Sequence, residues 1–168
     1  QLLSLAATLL LISFESFATH IVGGTLTYIY LGNNQYRISL TVYRDCNGGQ
    51  APFDDPAVVG VFDVNNNLVT TVSMPLGLVT TIPGTINNPC TSVPTNICTE
   101  ATTYTGTVSL PPISGGYQLA YQRCCRNSIV QNIVDPGNVG STFYTQIPNA
   151  NQVGTNNSAV FNNLPPLY

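Results

Sequence analysis

The chain has 168 residues, of which 43% are hydrophobic and only 7% are charged, with a formal net charge of −3. Its four basic side chains are all arginine and leave no basic surface for a phosphate backbone, so we expect no nucleic-acid partner. Abundant Asn, Thr, Ser and Gln, with Gly and Pro between strand-forming residues, are typical of extracellular β-proteins.

Residues 1–18 contain an apolar run over residues 2–14 and end in the small-x-small triplet Ser16-Phe17-Ala18. This pattern predicts the back half of a secretory signal peptide, incomplete at its N-terminus because it has no Met and no basic start. The mature chain is then expected to begin at Thr19. Residues 19–168 are predicted to form a single domain, truncated at its C-terminus and without a membrane span.

Two β-hairpins are predicted in the first half of the chain. Residues 21–31 and 36–46 are strand-like runs joined by Gly-Asn-Asn, and residues 57–63 and 68–74 flank three consecutive asparagines. Residues 75–97 are rich in Pro, Gly and Asn and are interpreted as a long connection, followed by a predicted strand at 102–110. These elements indicate an antiparallel arrangement.

The run from 115 to 127 is the strongest strand signal. Tyr117, Leu119 and Tyr121 alternate with polar or small residues, the period of two that is typical of a strand with one buried face. A turn at 135–137, a strand at 141–147 and a stub at 159–161 follow, and no window favours a helix. The sequence predicts an all-β, antiparallel Greek-key (immunoglobulin-like) β-sandwich of about eight strands.

Five cysteines in an exported chain predict a disulfide framework with one cysteine left over. Cys90 and Cys98 are expected to pair because the loop between them is short and restricted by proline. Cys46 and Cys125 share inward parity, so they are expected to pair across the core or between adjacent strands.

Cys124 then faces outward and is predicted to be unpaired or to pair with a cysteine beyond the chain end. Two alternatives remain open. Cys124 and Cys125 could form a vicinal bridge, or a β-bulge at Arg123 could exchange their parities and give a Cys46 to Cys124 bridge.

Three arginines lie beside these cysteines, namely Arg44, Arg123 and Arg126. Since a lone buried charge is unfavourable by several kcal/mol, each needs an acceptor, and Asp45 and Asp135 are the candidates. We interpret the five residues as a structural polar network, with anion binding as the alternative.

No catalytic set is found. Ile21-Val-Gly-Gly matches the start of an activated trypsin-like protease, but the His and Ser motifs of that class are missing, so a strand with a Gly pair at a bulge is preferred. His20 has no second ligand for a metal. Asp54 and Asp55 are weak calcium candidates, and otherwise no cofactor is expected. No carboxylate pair stands out for glycoside hydrolysis.

Several motifs together resemble the N-terminal region of large secreted surface proteins of Bacteroidota that carry a gliding-motility-associated C-terminal sorting domain. They are Thr-His-Ile-Val-Gly-Gly at 19–24, Tyr-Arg-Asp-Cys at 43–46, Asn-Pro-Cys at 88–90, Ile-Cys at 97–98, Gly-Tyr at 116–117, Tyr-Gln-Arg-Cys-Cys-Arg-Asn at 121–127, Ile-Val-Asp-Pro-Gly at 133–137 and Val-Phe-Asn-Asn-Leu-Pro-Pro at 160–166. The resemblance implies a multidomain β-rich polypeptide exported by the type IX system. It also implies an adhesin-like or matrix role, with the neighbouring domains of the same polypeptide as partners. Members of this family often have a cysteine near 156–158, where this chain has Thr155.

The expected function is therefore a non-enzymatic, disulfide-stapled structural or adhesive module of a secreted cell-surface protein. A carbohydrate-binding module is the alternative, with surface glycans or other cell-surface proteins as partners and Tyr43 as one outward aromatic that could stack on a sugar. A secreted hydrolase is the third alternative.

Overall fold

The computed structural model describes residues 21–47, 51–83, 96–127 and 130–159. Eight strands lie in these ranges, and the bounds of two predicted strands, at 68–74 and 141–147, are confirmed. The strands are β1 (Ile21–Gly32), β2 (Gln35–Asp45), β3 (Ala57–Phe62), β4 (Leu68–Met74), β5 (Thr80–Ile82), β6 (Thr99–Ser109), β7 (Tyr117–Arg123) and β8 (Ser141–Ile147). The predicted signal peptide, His20 and Cys90 lie outside the described residues.

The strands form two four-stranded sheets, confirming the all-β sandwich. Sheet A has the order β1-β2-β6-β5, sheet B has the order β4-β3-β7-β8, and every pairing within them is antiparallel. The Greek-key connection stays a prediction. β5 was missed in the sequence because it is only three residues long and depends on pairing with the start of β6.

Both predicted hairpins are confirmed. Gly32, Asn33 and Asn34 all have positive φ between β1 and β2, which is the backbone conformation that Gly and Asn adopt most readily. Between β3 and β4 the Asp63 carboxylate accepts hydrogen bonds from the backbone N–H groups of Asn65 and Asn67, each at 2.8 Å. The turn residues therefore set the register of each pair.

The core is formed by the inward-facing parity of both sheets, as predicted. In β2 the side chains of Ile38 and Leu40 are fully buried, and in β7 Leu119 is fully buried while Tyr117 and Tyr121 are nearly so. Burial of each large apolar side chain contributes about 1.5–3 kcal/mol, so this layer supplies most of the stabilisation.

The Gly pair of β1 lies at an irregularity, as predicted. Register shifts between Ile21 and Gly23 in the pairing of β1 with β2. A Cβ at Gly24 would lie 2.6 Å from the Thr41 carbonyl oxygen and 2.9 Å from the Phe143 ring. Gly24 therefore lets β1 approach sheet B closely.

A segment near the end of the described chain covers the edge of β1. Ser158 accepts a hydrogen bond from Tyr28 N at 2.8 Å and donates its own N–H to Tyr28 O at 3.1 Å, while Asn157 accepts from Tyr30 N at 2.7 Å. A single helical turn, α1 (Ala150–Val153), precedes it and is capped by the Asn149 side chain, a short helix that the sequence did not predict. The edge strand thus has polar partners over these residues.

Candidate functional site

Most of the predicted site residues meet at one end of the sandwich, where β2 and β7 end and β6 begins. We call this region the bridged end. It comprises the last residues of β2 and β7, the segments 46–47 and 124–127 that follow them, the start of β6, and the loop of residues 51–56.

Cys46 and Cys98 form the first bridge of this end, with sulfurs 1.94 Å apart and Cα atoms 5.0 Å apart. The register of β2 and β6 brings these two cysteines together, because Asp45 lies opposite Thr99. The next positions outward on the two strands are Cys46 and Cys98, and Cys46 N donates to Cys98 O at 2.9 Å. The bridge therefore links β2 to β6 directly beyond the last residue pair of their hydrogen-bonded register.

This bridge shows that two predicted pairings are wrong. Cys46 does not pair with Cys125, because Cys46 is bonded to Cys98 across the β2–β6 pairing and Cys125 is bonded to Cys124. Cys98 does not pair with Cys90, because Cys98 is bonded to Cys46.

Cys124 and Cys125 form the second bridge, with sulfurs 2.15 Å apart. The prediction that Cys124 is unpaired or bonded beyond the chain end is thereby wrong, and so is the bulge alternative; the vicinal alternative is the one observed. The alternation of side chains does not extend to these cysteines, since β7 ends at Arg123 and Cys125 has a φ of 82°.

The two bridges predict a simple result in non-reducing peptide mapping. Trypsin cuts after Arg123 and Arg126 and should release the tripeptide 124–126 lacking the mass of two hydrogen atoms. A second protease that cuts within 47–89 and within 91–97 should leave Cys46 linked to Cys98. A tripeptide of full mass, or Cys90 linked to either residue, would contradict the pairing.

The arginine network exists, but its acids are different from those predicted. Arg44 binds Glu100, with Nη2 2.7 Å and Nε 3.0 Å from the same carboxylate oxygen, since the two residues lie opposite each other in the ladder. Its Nη1 donates to Ala51 O at 2.5 Å, and its guanidinium lies 4.8 Å from the centre of the Phe53 ring. Arg44 therefore holds the 51–56 loop against sheet A.

Asp54 is the centre of a second set of contacts. Its carboxylate accepts a hydrogen bond from the Tyr121 hydroxyl and lies 3.2 Å from Arg123 Nη2, and its backbone carbonyl accepts from the Tyr104 hydroxyl at 2.8 Å. Arg123 also donates to Pro52 O at 2.6 Å. The loop is thus held from sheet B as well.

Asp45 and Asp135, the predicted acids, bind amides instead. Asp45 accepts from Asn47 N at 2.8 Å and from Asn127 Nδ2 at 3.2 Å, while Asp135 accepts from Asn138 Nδ2 at 2.7 Å. The contacts with Asn47 and Asn138 order local turns, whereas the contact between Asp45 and Asn127 joins the end of β2 to the segment after β7.

The Arg126 side chain makes a hydrogen bond to a backbone carbonyl. Its Nε donates to the carbonyl of Gly140 at 3.1 Å, joining the segment after β7 to the segment before β8. The predicted pairing of these arginines with Asp45 and Asp135 is therefore wrong, since Arg44 and Arg123 bind Glu100 and Asp54 and Arg126 binds a backbone carbonyl.

The tyrosines around Asp54 have perturbed acidity. Burial, and then the negative charge of Asp54, raise the pKa of Tyr104 from 10.0 to about 12. Burial and the hydrogen bond to Asp54 also raise the pKa of Tyr121. Both hydroxyls remain protonated donors at neutral pH.

These shifts predict a loss of stability in alkali. Below pH 10 the two tyrosines are protonated in both the folded and the unfolded protein. Above pH 10 they ionise first in the unfolded chain, because their pKa values are higher in the folded protein. The free energy of unfolding should therefore fall from pH 10 through pH 12. Urea midpoints measured at pH 8, 10 and 11 test this, with Tyr104→Phe expected to flatten the dependence; an equal slope in that variant would contradict it.

The carboxylates near the 51–56 loop are engaged by protein groups. Asp54 binds Arg123 and Tyr121, and Asp55 accepts from Leu76 N at 3.1 Å, so both calcium candidates already have protein partners. Within the four described ranges, no three His, Cys, Asp or Glu side chains come together to hold a metal ion. Glu100 is likewise paired with an arginine.

A shallow hollow of about 340 Å³ lies beside β5 and β6, away from the arginines. Its lining residues are uncharged, and Leu78 is 83% exposed. Thr102, which also lines it, has a buried hydroxyl without a hydrogen-bond partner. Among the described residues, its lining consists of Leu78, Ala101 and three threonines.

Comparison of the chain with protein-family models, with curated proteins and with solved structures found no match. No helix in the described part of the chain is long and apolar enough to cross a membrane. The geometry of the chain itself is therefore the basis of the functional argument.

Proposed function

We propose that this chain is a non-enzymatic structural and adhesive module of a large secreted protein of the cell surface. The observation that carries the proposal is the use of both bridges and both ion pairs at one end of the sandwich. There the Cys46–Cys98 bridge and the Arg44–Glu100 pair join β2 to β6, and the Arg123–Asp54 pair joins the end of β7 to the 51–56 loop. The second bridge fixes the two residues that follow β7.

An end reinforced in this way is suited to resist unfolding when force or proteases act on an extracellular chain. Disulfides persist in oxidising compartments, so the two bridges support export from the cytoplasm. The predicted signal peptide at 1–18 supports the same localisation. Neighbouring domains of the same polypeptide are the proposed partners.

The resemblance to Bacteroidota surface proteins adds a more specific proposal, that the full polypeptide is exported by the type IX system and is associated with gliding motility. The motif at 121–127 supports it, and its two cysteines are the bridged pair at the end of β7. In this proposal the module lies at the N-terminus of a multidomain adhesin.

The experiment is to label the surface of intact cells that carry the natural gene. An antibody against residues 21–159 should stain whole cells, and shaving the cells with protease should release the epitope. An intracellular epitope that protease cannot reach would contradict the proposal, as would an appended catalytic domain whose activity depends on this module.

A further inference from the structure

The outer face of sheet B carries an uncharged surface of aromatic and amide side chains. Arg123 is the one charged residue in the four strands of this sheet, and its side chain is turned to Asp54 and Pro52 O. The side chains of this outer face belong to Val58, Gly60, Phe62, Val69, Thr71, Ser73, Gln118, Ala120, Gln122, Thr142, Tyr144 and Gln146.

The register of the strands places small residues at the centre of this face. Gly60 lies opposite Ala120, and Ala120 lies opposite Tyr144. A Cβ on Gly60 would lie 2.5 Å from the ring of Phe62, so that ring lies over Gly60. Tyr144 is 53% exposed. The aromatic residues Phe62 and Tyr144 therefore belong to the two strands on either side of Ala120, with the Phe62 ring over Gly60.

We call the surface over Ala120, between Phe62 and Tyr144, the slot, and glutamines lie at its two ends. Gln118 and Gln122 lie two residues from Ala120 on either side, which is about 7 Å along the strand. β3 and β8 lie two strand spacings apart, or about 10 Å. A single sugar ring placed over Ala120 is therefore within reach of both neighbouring strands.

We propose that this slot binds a neutral glycan, with one pyranose ring seated on Ala120 between Phe62 and Tyr144. Aromatic rings offer broad apolar faces on which the C–H face of a sugar packs. Glutamine amides supply both donors and acceptors for sugar hydroxyls. An anionic ligand would find no free basic side chain in these four strands, since Arg123 is turned to Asp54, so the chemistry favours uncharged polysaccharides over anionic ones.

The inference names the ligand class of the adhesive module proposed above and therefore rests on that proposal. The predicted candidate Tyr43 lies on the outer face of sheet A, opposite Ala101 of β6. It has no second aromatic residue opposite it in that register, since its partner on β1 is Gly23. Tyr43 therefore serves as the matched control.

Affinity electrophoresis tests the proposal with the mature chain in gels that contain hydroxyethylcellulose, xylan, galactomannan or soluble β-1,3-glucan, with alginate as the anionic comparison. At least one neutral polysaccharide should retard the chain. Tyr144→Ala and Ala120→Leu should each weaken that retardation about tenfold or more, the loss expected on truncating a central contact or filling the slot. Tyr43→Ala should leave it unchanged.

Circular dichroism of each variant shows whether the fold is retained, which is expected because Ala120 and Tyr144 face outward. No retardation by the four neutral polymers, retardation by alginate alone, or equal loss in Tyr43→Ala would overturn the proposal. A folded, surface-exposed chain that binds none of them would remove this inference and leave the proposed structural module standing. An intracellular location would instead remove the proposed function.

Discussion

Replacing both Cys46 and Cys98 by alanine should lower the free energy of unfolding by about 4 kcal/mol. The bridge spans 52 residues of sequence, and the loss of chain entropy in the unfolded state grows with the logarithm of that span. Because a domain of this size is stabilised by only about 5–15 kcal/mol in total, this single change removes a large share of it. Urea unfolding of the oxidised protein and of the double variant measures the difference.

The matched control is the double variant Cys124→Ala and Cys125→Ala. Its bridge joins adjacent residues, so by the same entropy relation its removal should lower the free energy of unfolding by only about 1 kcal/mol. A loss in the control as large as that in the Cys46 and Cys98 variant would mean that loop entropy does not explain the stabilisation.

The strands and the core could be predicted because they depend on local patterns. Alternation along β2 and β7 predicts which of their side chains are buried, and the Asn-rich turns predict the two hairpins. Both predictions succeed because the side-chain period of two and the turn conformation are properties of a few adjacent residues. The uncharged face of sheet B follows from the same alternation. It was not singled out, because the order of β3, β7 and β8 must be known before Phe62 and Tyr144 can be placed together.

The Cys46–Cys98 bridge could not be predicted because it depends on a strand end and on strand order, whereas the bridge between Cys124 and Cys125 was predicted only as an alternative. The strand predicted from residue 102 begins three residues earlier, at Thr99, which places Cys98 opposite Cys46. The same extension brings Glu100 opposite Arg44. The parity argument for Cys125 assumed that β7 continues past Arg123, whereas the positive φ of Cys125 turns the chain.

The link between Asp54 and Tyr121 spans 67 residues and joins a loop to a core strand, a contact that no local pattern indicates. Tyr121 is 2% exposed, so its hydroxyl depends on the protein for an acceptor. The side chains of Arg123 and Asp54 are 11% and 37% exposed, and water therefore screens part of their attraction. The tyrosine hydrogen bond should accordingly contribute more to stability than the ion pair.

The variant Asp54→Ala is therefore expected to lower the free energy of unfolding by about 2–3 kcal/mol, because it leaves a buried hydroxyl unsatisfied and an arginine without its acid. Asp54→Asn keeps an acceptor for Tyr121 and removes only the charge, so it should be destabilised by about 1 kcal/mol or less. Urea unfolding at pH 7 measures both variants. Equal losses in the two would show that the charge of Asp54, and not the hydrogen bond from Tyr121, holds the 51–56 loop to sheet B.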